Sequence, residues 1–505
     1  MAESSEPERP HLSFFGKTKE SFEEMENSST QQPLIIHHHH RDNYSILSAI
    51  FPFFFPALGG LLYGYDIGAT SGATISLQSA ALSGVTWYNL SSVQVGFIVS
   101  GSLYGALIGS FMAFTIADFL GRRRELLFSS LLYLAGGLVT ALAPNFPITV
   151  IGRFVFGMGI GLAMHAAPMY IAETAPTQIR GRLISLKEFF IVLGMLLGYA
   201  VGSLEINIVS GWRYMYATSV PIALIMGVGM WWLPPSPRWL LLSAVQGKRD
   251  LHITREIAID CLCRLRGKAI GNSAPEQVDE ILADLSYSDE GKAASLSEVF
   301  QGKCLKALII GGGLVLFQQI TGQPSVLYYA ATILKSAGFS AASDATRVSV
   351  LLGLLKLIMT AVAVLAVDKL GRRPLLLGGV SGIAISLFIL ASYYTFLDNA
   401  PVLAVVALLL YVGCYQLSFG PIGWLMISEI FPLRLRGRGL SIAVLINFAA
   451  NALVTFAFSP LQTLLGTGML FVVFGVIAIL SLVFIYFIVP ETKGLTLEEI
   501  ETKIL

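Results

Sequence analysis

Twelve apolar stretches, six on each side of a polar interval, restrict this chain to a narrow set of folds. They lie near 46–72, 92–116, 126–144, 147–170, 184–204, 214–233, 306–333, 346–367, 374–394, 401–428, 438–462 and 468–490. About 20 apolar residues in a helix cross the hydrocarbon core of a bilayer. Inside that core every backbone N–H and C=O must be satisfied within its own segment. An all-α membrane protein of twelve helices in two six-helix halves is therefore predicted. Its parts are a polar tail at 1–44, a bundle at 45–234, a linker with short helices at 235–305, a bundle at 306–490 and a tail at 491–505.

Composition narrows the function. Only 13% of residues are charged against 54% hydrophobic, where an average soluble domain carries about 25% charged residues. A formal charge of +1 and the lack of basic clusters interleaved with aromatics give nucleic acid nothing to bind. The four cysteines are too few for a disulfide framework, and Cys261-Leu262-Cys263 lacks zinc-site spacing, so no metal is expected. The run His37–His40 reads as part of a disordered tail, which has no signal-peptide layout. No G-x-x-x-x-G-K-[ST] loop is present to drive an ATP-powered pump. No cofactor and no enzyme activity are expected, and a monomer in the lipid bilayer is.

Arginine placement orients the chain. Arg122, Arg123 and Arg124 follow segment 2, Arg180 and Arg182 follow segment 4, Arg372 and Arg373 follow segment 8, and Arg434, Arg436 and Arg438 follow segment 10. The loop after segment 1 has no charge. By the positive-inside rule both termini and the linker are cytosolic, and the sequon at Asn89 faces the other side. The same loops reveal a duplication. Asp118-x-x-Gly-Arg122-Arg recurs as Asp368-x-x-Gly-Arg372-Arg, and Glu173-x6-Arg180-Gly-Arg recurs as Glu429-x6-Arg436-Gly-Arg, both offset by about 250 residues. Parallel six-span repeats belong to transporters that rock two bundles about a midplane site. Glu173 and Glu429 with the arginines seven residues on are expected to clamp the cytosolic mouth, against the plainer reading of those arginines as anchors.

Asp66 lies deep in segment 1, where an aspartate costs roughly 2.5–3.5 kcal/mol. Arg153, in segment 4, is the nearest candidate of opposite sign at depth. A carboxylate that alternates between an arginine and an isolated setting would bind and release a proton as the bundles rock; the alternative is a static ion pair. His165, among Ala, Met and Pro, reads as space-filling rather than as a relay. In segment 7, LFQQITGQPSVLYYA offers Gln318, Gln319, Tyr328 and Tyr329. Amides and aromatic rings suit a polyol, and Pro324 should break the helix by leaving the Ile320 carbonyl unbonded. Asn447 and Asn451 share a face of segment 11, and Trp424 stands among Gly420, Pro421 and Gly423 in another breakable helix.

The paired D-x-x-G-R-R and E-x6-R-G-R loops, with PPSPRWL at 234–240 and PETKG at 490–494, resemble the sugar porters of the major facilitator superfamily over about residues 45–500. Among them the pattern is most similar to bacterial xylose–proton symporters and plant vacuolar glucose transporter-like proteins. The resemblance implies a proton-coupled monosaccharide transporter working by alternating access, with a hexose such as glucose first and a pentose such as xylose next. It implies proton coupling at Asp66 and Arg153, where facilitative relatives have Asn for the Asp. It implies sugar contacts at Gln318, Gln319, Tyr328, Trp424, Asn447 and Asn451, and a gate that includes Asp118 and Asp368. It favours the vacuolar membrane, with the plasma membrane as the alternative.

Four positions depart from the family's pattern. Pro324 stands where QQ-x-x-G-x-N has Asn, and PPSPR loses the acid of P-E-S-P-R, which is expected to loosen a cytosolic ion pair. Glu188 replaces a sugar-binding Gln and Lys356 replaces an Asn near the sugar. A Glu188–Lys356 ion pair across the two halves is expected, with Lys187 snorkelling to the cytosolic face. The competing functions are a proton-independent facilitator, which Asp66 opposes, and a transport-inactive sugar sensor, a type that tends to carry a long cytosolic extension absent here.

Overall fold

The protein is described here by a computed structural model covering residues 46–176, 179–266, 273–287, 296–339, 341–397, 400–431, 436–493 and 500. The N-terminal tail with its histidine run lies outside these residues, as do the side chains of Asp118, Arg180, Asp368 and Arg436. The first half comprises α1 (Ile46–Gln78), α2 (Ser92–Leu120), α3 (Arg122–Leu142), α4 (Phe146–Thr174), α5 (Arg180–Glu205), α6 (Gly211–Ala217) and α7 (Ser219–Trp232). The interval carries α8 (Pro237–Val245), α9 (Leu251–Arg266), α10 (Ala274–Tyr287) and a 3-10 turn at Leu296–Phe300. The second half comprises α11 (Gly302–Ile320), α12 (Gln323–Tyr328), α13 (Ala330–Ser336), α14 (Ala342–Leu370), α15 (Arg372–Phe396), α16 (Pro401–Leu417), α17 (Phe419–Ile430), α18 (Arg436–Leu465) and α19 (Thr467–Ile488). Twelve spans among them are long and apolar enough to cross a membrane.

Local chemistry sets the ends of these helices. Asn145 caps α4 by accepting the Ile148 N–H at 3.1 Å, with Pro147 in the first turn. Ser91 and Gln94 exchange hydrogen bonds of 2.9 and 3.3 Å as a capping box for α2. Segment 7 breaks twice. The first break lies at Thr321–Gly322, two residues before the proline expected to cause it, because Gly322 takes φ 91°. Pro324 then sits in the first turn of α12, where a missing N–H costs nothing. Segment 10 breaks at Ser418, just before Gly420 and Pro421.

In lipid, helices gain little from burying apolar surface, so close approach and dispersion hold them together. Gly60, Gly64, Gly68 and Gly72 recur every fourth residue on α1, and Gly194, Gly198 and Gly202 do so on α5. A Cβ at Gly64 would collide with the Ile191 carbonyl, and one at Gly194 with the Leu61 carbonyl. The two backbones thus touch directly, which places Asp66 at a fixed depth. The halves meet along two related seams, α2 with α18 and α5 with α14. Segments 2 and 5 of the first half correspond to 8 and 11 of the second, so one seam maps onto the other. Away from the arginine-rich loops the seams are sealed. Tyr199 donates to the Leu327 carbonyl at 2.7 Å, Ala331 N–H donates to Ser71 Oγ at 3.0 Å, and the Phe97 and Phe456 rings lie 4.9 Å apart.

Gly64→Leu is expected to lower the unfolding temperature of the detergent-solubilised protein, because overpacking costs roughly 1–3 kcal/mol. Gly378→Ala, whose added Cβ meets nothing within 4 Å, is expected to leave it unchanged. Size-exclusion profiles after graded heating measure both.

Candidate functional site

Asp66 and Arg153 meet as α1 packs beside α4, both buried at 2% and 1% exposure. One Arg153 nitrogen bonds Asp66 Oδ1 directly. The rest of the guanidinium is spent on the Ile98 carbonyl at 2.9 Å, the Val99 carbonyl at 3.2 Å and Ser102 Oγ at 3.0 Å. Ser102 in turn donates to Asp66 Oδ2 at 2.7 Å. Arg153 also lies over the Tyr216 ring, 5.2 Å from its centroid. A cavity of about 10 Å³ beside the pair is lined by Tyr65, Asp66, Thr140, Arg153, Tyr216 and Ser219, room for about one water.

The segment 7 amides lie across from this pair. Gln318 Nε2 donates to the Phe419 carbonyl at 2.9 Å, at the break of segment 10. Gln319 Nε2 donates to Asn447 Oδ1 at 2.6 Å. Asn451, one turn on, accepts from Thr455 at 3.2 Å. Gly423 leaves room for the Gln318 carboxamide, with half-buried Trp424 next to it. Gln318 Oε1, Gln319 Oε1 and the Tyr328 hydroxyl are all buried without a hydrogen bond. Native proteins rarely bury polar atoms unsatisfied. All three belong to broken segment 7, and Gln318 reaches the break of segment 10.

The direct Glu188–Lys356 pair does not form. Glu188 bonds the adjacent Lys187 at 3.0 Å and is 53% exposed. Lys187 does not snorkel; its side chain is buried against α1, which α5 grips so closely. Lys356, 8% exposed, has its ammonium 6.0 Å from the Tyr415 ring centroid. Glu188 acts on it only through space.

At the arginine-rich loops, the described residues show a further set of ion pairs. Arg122 bonds Glu173 at 3.1 Å and Arg372 bonds Glu429 at 2.9 Å. Each pair joins the two loop motifs within one half, because α3 and α15 begin beside the ends of α4 and α17. Asp118, Arg180, Asp368 and Arg436, proposed for the same gate, have side chains outside the described residues. Arg123 holds the Met230 and Trp231 carbonyls at 3.2 and 2.5 Å, and Arg373 holds that of Tyr486 at 2.6 Å, closing segments 6 and 12 alike.

Gly121 and Gly371 take φ 76° and 97°, a region that suits glycine. In the second half Glu491 covers this turn, accepting the Arg372 and Arg373 N–H groups at 3.0 and 2.9 Å. Pro235 occupies the matching place in the first half, where the Trp239 indole covers Gly121 instead. What the proline forgoes is therefore a helix cap, not an ion pair. Burial alone would raise the Glu491 carboxyl, but N–H groups of Lys493, Arg372, Arg373 and Thr492 hold it below the usual carboxylate range.

Sequence reading missed Ser102, Tyr63 and Tyr415. Tyr63 of α1 faces Asn451 and Tyr415 faces Gln318. Serine and tyrosine in an apolar run carry no sequence signal, although the Gly-x3-Gly stripe could have shown which face of α1 meets α5. His165 proves paired, its Nδ1 2.9 Å from buried Glu125.

Two six-helix repeats around a polar midplane site define a membrane transporter, not an enzyme. The family described as "Sugar (and other) transporter" matches residues 53–504, and the chain belongs to it, within the major facilitator superfamily. "D-xylose-proton symporter-like 2" of Arabidopsis thaliana is 70% identical over 100% of both chains. "D-xylose-proton symporter-like 3, chloroplastic" of the same plant is 65% identical over 92% of this chain and 84% of its own. Among solved structures, the inward open conformation of the xylose transporter XylE from E. coli superposes with a TM-score of 0.74. It is 32% identical, covering 90% of this chain and 99% of that one.

Glu491 makes a pH-dependent contribution to stability. Its carboxyl is depressed in the folded state, so the stabilisation is present above the unfolded value of about 4.3 and is lost as pH falls through the folded value. Glu491→Gln should lower the unfolding temperature at pH 7, and the difference from the parent protein should close below about pH 4.

Proposed function

We propose that this protein carries a monosaccharide together with a proton by alternating access. The observation that carries the sugar reading is the cluster of buried, unsatisfied polar atoms at Gln318, Gln319 and Tyr328. Sugar hydroxyls both donate and accept, so one bound ring can satisfy all three, with Asn447, Asn451 and Trp424 completing the pocket. Glucose or another hexose is the first candidate, and the names of the plant and bacterial relatives keep a pentose such as xylose as the second.

The proton reading rests on Asp66. In the conformation described, Arg153 and Ser102 stabilise its ionised form. When the bundles rock, loss of either partner favours protonation, so uptake and release follow the side to which the site opens. The seal at Tyr199–Leu327 and Ser71–Ala331 leaves the arginine-rich side as the open one. By the positive-inside rule that side is cytosolic, making this the inward-facing state. The pairs Arg122–Glu173 and Arg372–Glu429 brace each bundle as a rigid unit. We place the protein in the vacuolar membrane, with the plasma membrane as the alternative; a relative named as chloroplastic makes a plastid envelope a third address to examine.

In proteoliposomes Asp66→Asn is expected to lose sugar accumulation driven by a pH gradient while sugar exchange persists. Accumulation equal to the parent's would return the protein to the facilitator class. Uptake of a sugar panel by the same vesicles ranks hexose against pentose. Lys356→Met and Glu188→Gln should each slow uptake, and because the two side chains form no direct pair their losses should multiply in the double variant. A double variant no slower than the worse single one would show that they act as a unit.

A further inference from the structure

Ser102 carries no sequence signal, yet it touches everything that matters at the proton site. It is fully buried on α2, donates to Asp66 Oδ2 at 2.7 Å and accepts from Arg153 at 3.0 Å. A hydroxyl has one proton and two lone pairs, so one acceptor position is left. Tyr328, on α12 of the other half, lies within reach of it. The Tyr328 hydroxyl is fully buried and makes no regular hydrogen bond. One serine thus stands between the charged pair of the first half and the site-lining segment of the second.

We propose that Ser102 is the positioning residue that transmits the protonation state of Asp66 to Tyr328, and so to the sugar. The proposal rests on the proton–sugar reading above. With Asp66 ionised, the Ser102 proton is committed to the carboxylate, and Tyr328 turns its own proton toward the free lone pair of Ser102. When one proton from solvent binds Asp66, the carboxylic acid becomes a donor and a weaker acceptor. The Ser102 hydroxyl then rotates and donates to the Tyr328 oxygen, which leaves the phenol O–H, still intact, free to donate a hydrogen bond to a sugar hydroxyl. Apart from the proton gained by Asp66, no covalent bond changes.

Other ionisable groups do not compete for this role. Those acting on Asp66 are Arg153 of α4, Tyr133 of α3, Tyr216 of α6, Tyr328 of α12, and Tyr63 and Tyr65 of α1 itself. On α5, Lys187 and Glu188 are paired with each other, and Glu188 acts on Tyr63.

The test uses the full chain in proteoliposomes, with glucose and xylose as probes, and compares pH-driven accumulation with equilibrium exchange. Ser102→Ala should lower accumulation about tenfold, the factor expected for loss of a hydrogen bond to a charged group, with exchange falling much less. Ser102→Thr, which keeps the hydroxyl, should restore coupling. Adding Tyr328→Phe to Ser102→Ala should lower exchange, because a sugar contact is lost, but should leave the ratio of accumulation to exchange where Ser102→Ala alone put it. The proposal is overturned if Ser102→Ala accumulates like the parent protein. Equal falls in exchange and accumulation without rescue by Thr would also overturn it, by showing a packing role. If Ser102→Ala does not fold, Tyr328→Phe alone must lower the ratio of accumulation to exchange, beyond the fall in exchange that loss of a sugar contact brings. Asp66→Asn run alongside separates a failure of this link from a failure of proton coupling itself.

Discussion

An ion pair sealed away from water and lipid organises the first half of this protein. A lone carboxylate or guanidinium in that setting carries a large desolvation penalty, offset only if each charge is paired and fully hydrogen-bonded. Asp66 and Arg153 meet that condition through Ser102 and two carbonyls of α2. Three helices therefore have to hold their register to within a hydrogen bond's tolerance. The glycine contacts between α1 and α5 serve the same end, since they leave α1 no freedom to slide. A rigid bundle with one ionisable pair at its heart can change state only by protonation or by moving as a whole.

The second half is built on the opposite principle. Its segments 7 and 10 are interrupted, by Gly322 and at Ser418, and the interruptions bring backbone carbonyls and amide side chains to the same depth. Gln318 reaches the Phe419 carbonyl and Gln319 reaches Asn447, each spending its donor and leaving its acceptor unused. Unspent acceptors inside a membrane are tolerated only where water or a ligand meets them. In our proposal, charged bundle and polar pocket are linked at Ser102 and Tyr328.

Much of this was legible in the residues. Span number, the duplication and the candidate pairing of Asp66 with Arg153 all follow from hydrophobic length, spacing and charge sign. The pocket amides were legible too, since Gln and Asn are conspicuous in apolar runs. Pairings among several similar groups were not. Glu188 had two lysines to choose from, and its carboxylate reaches the ammonium of its chain neighbour although Lys187 is buried and Glu188 is exposed. Glu173 and Glu429 had arginines on two loops to choose from, and among the described residues they bond Arg122 and Arg372, at the starts of α3 and α15. Pro235 looked like a lost charge, whereas its counterpart Glu491 serves as a helix cap.

Sequence alone determined that this chain crosses a bilayer twelve times in two related halves, because hydrocarbon admits no other arrangement of long apolar helices with charges at their ends. It also singled out Asp66, because a charge that costly must have a task. Only tertiary structure decided which hydroxyl joins that charge to the pocket, which acceptors stay unsatisfied, and which side of the seam is sealed. Those facts depend on distances of about 3 Å between residues far apart in the chain. Hydrophobic pattern specifies which face of a helix is buried, but not which atom of a neighbouring helix it will meet.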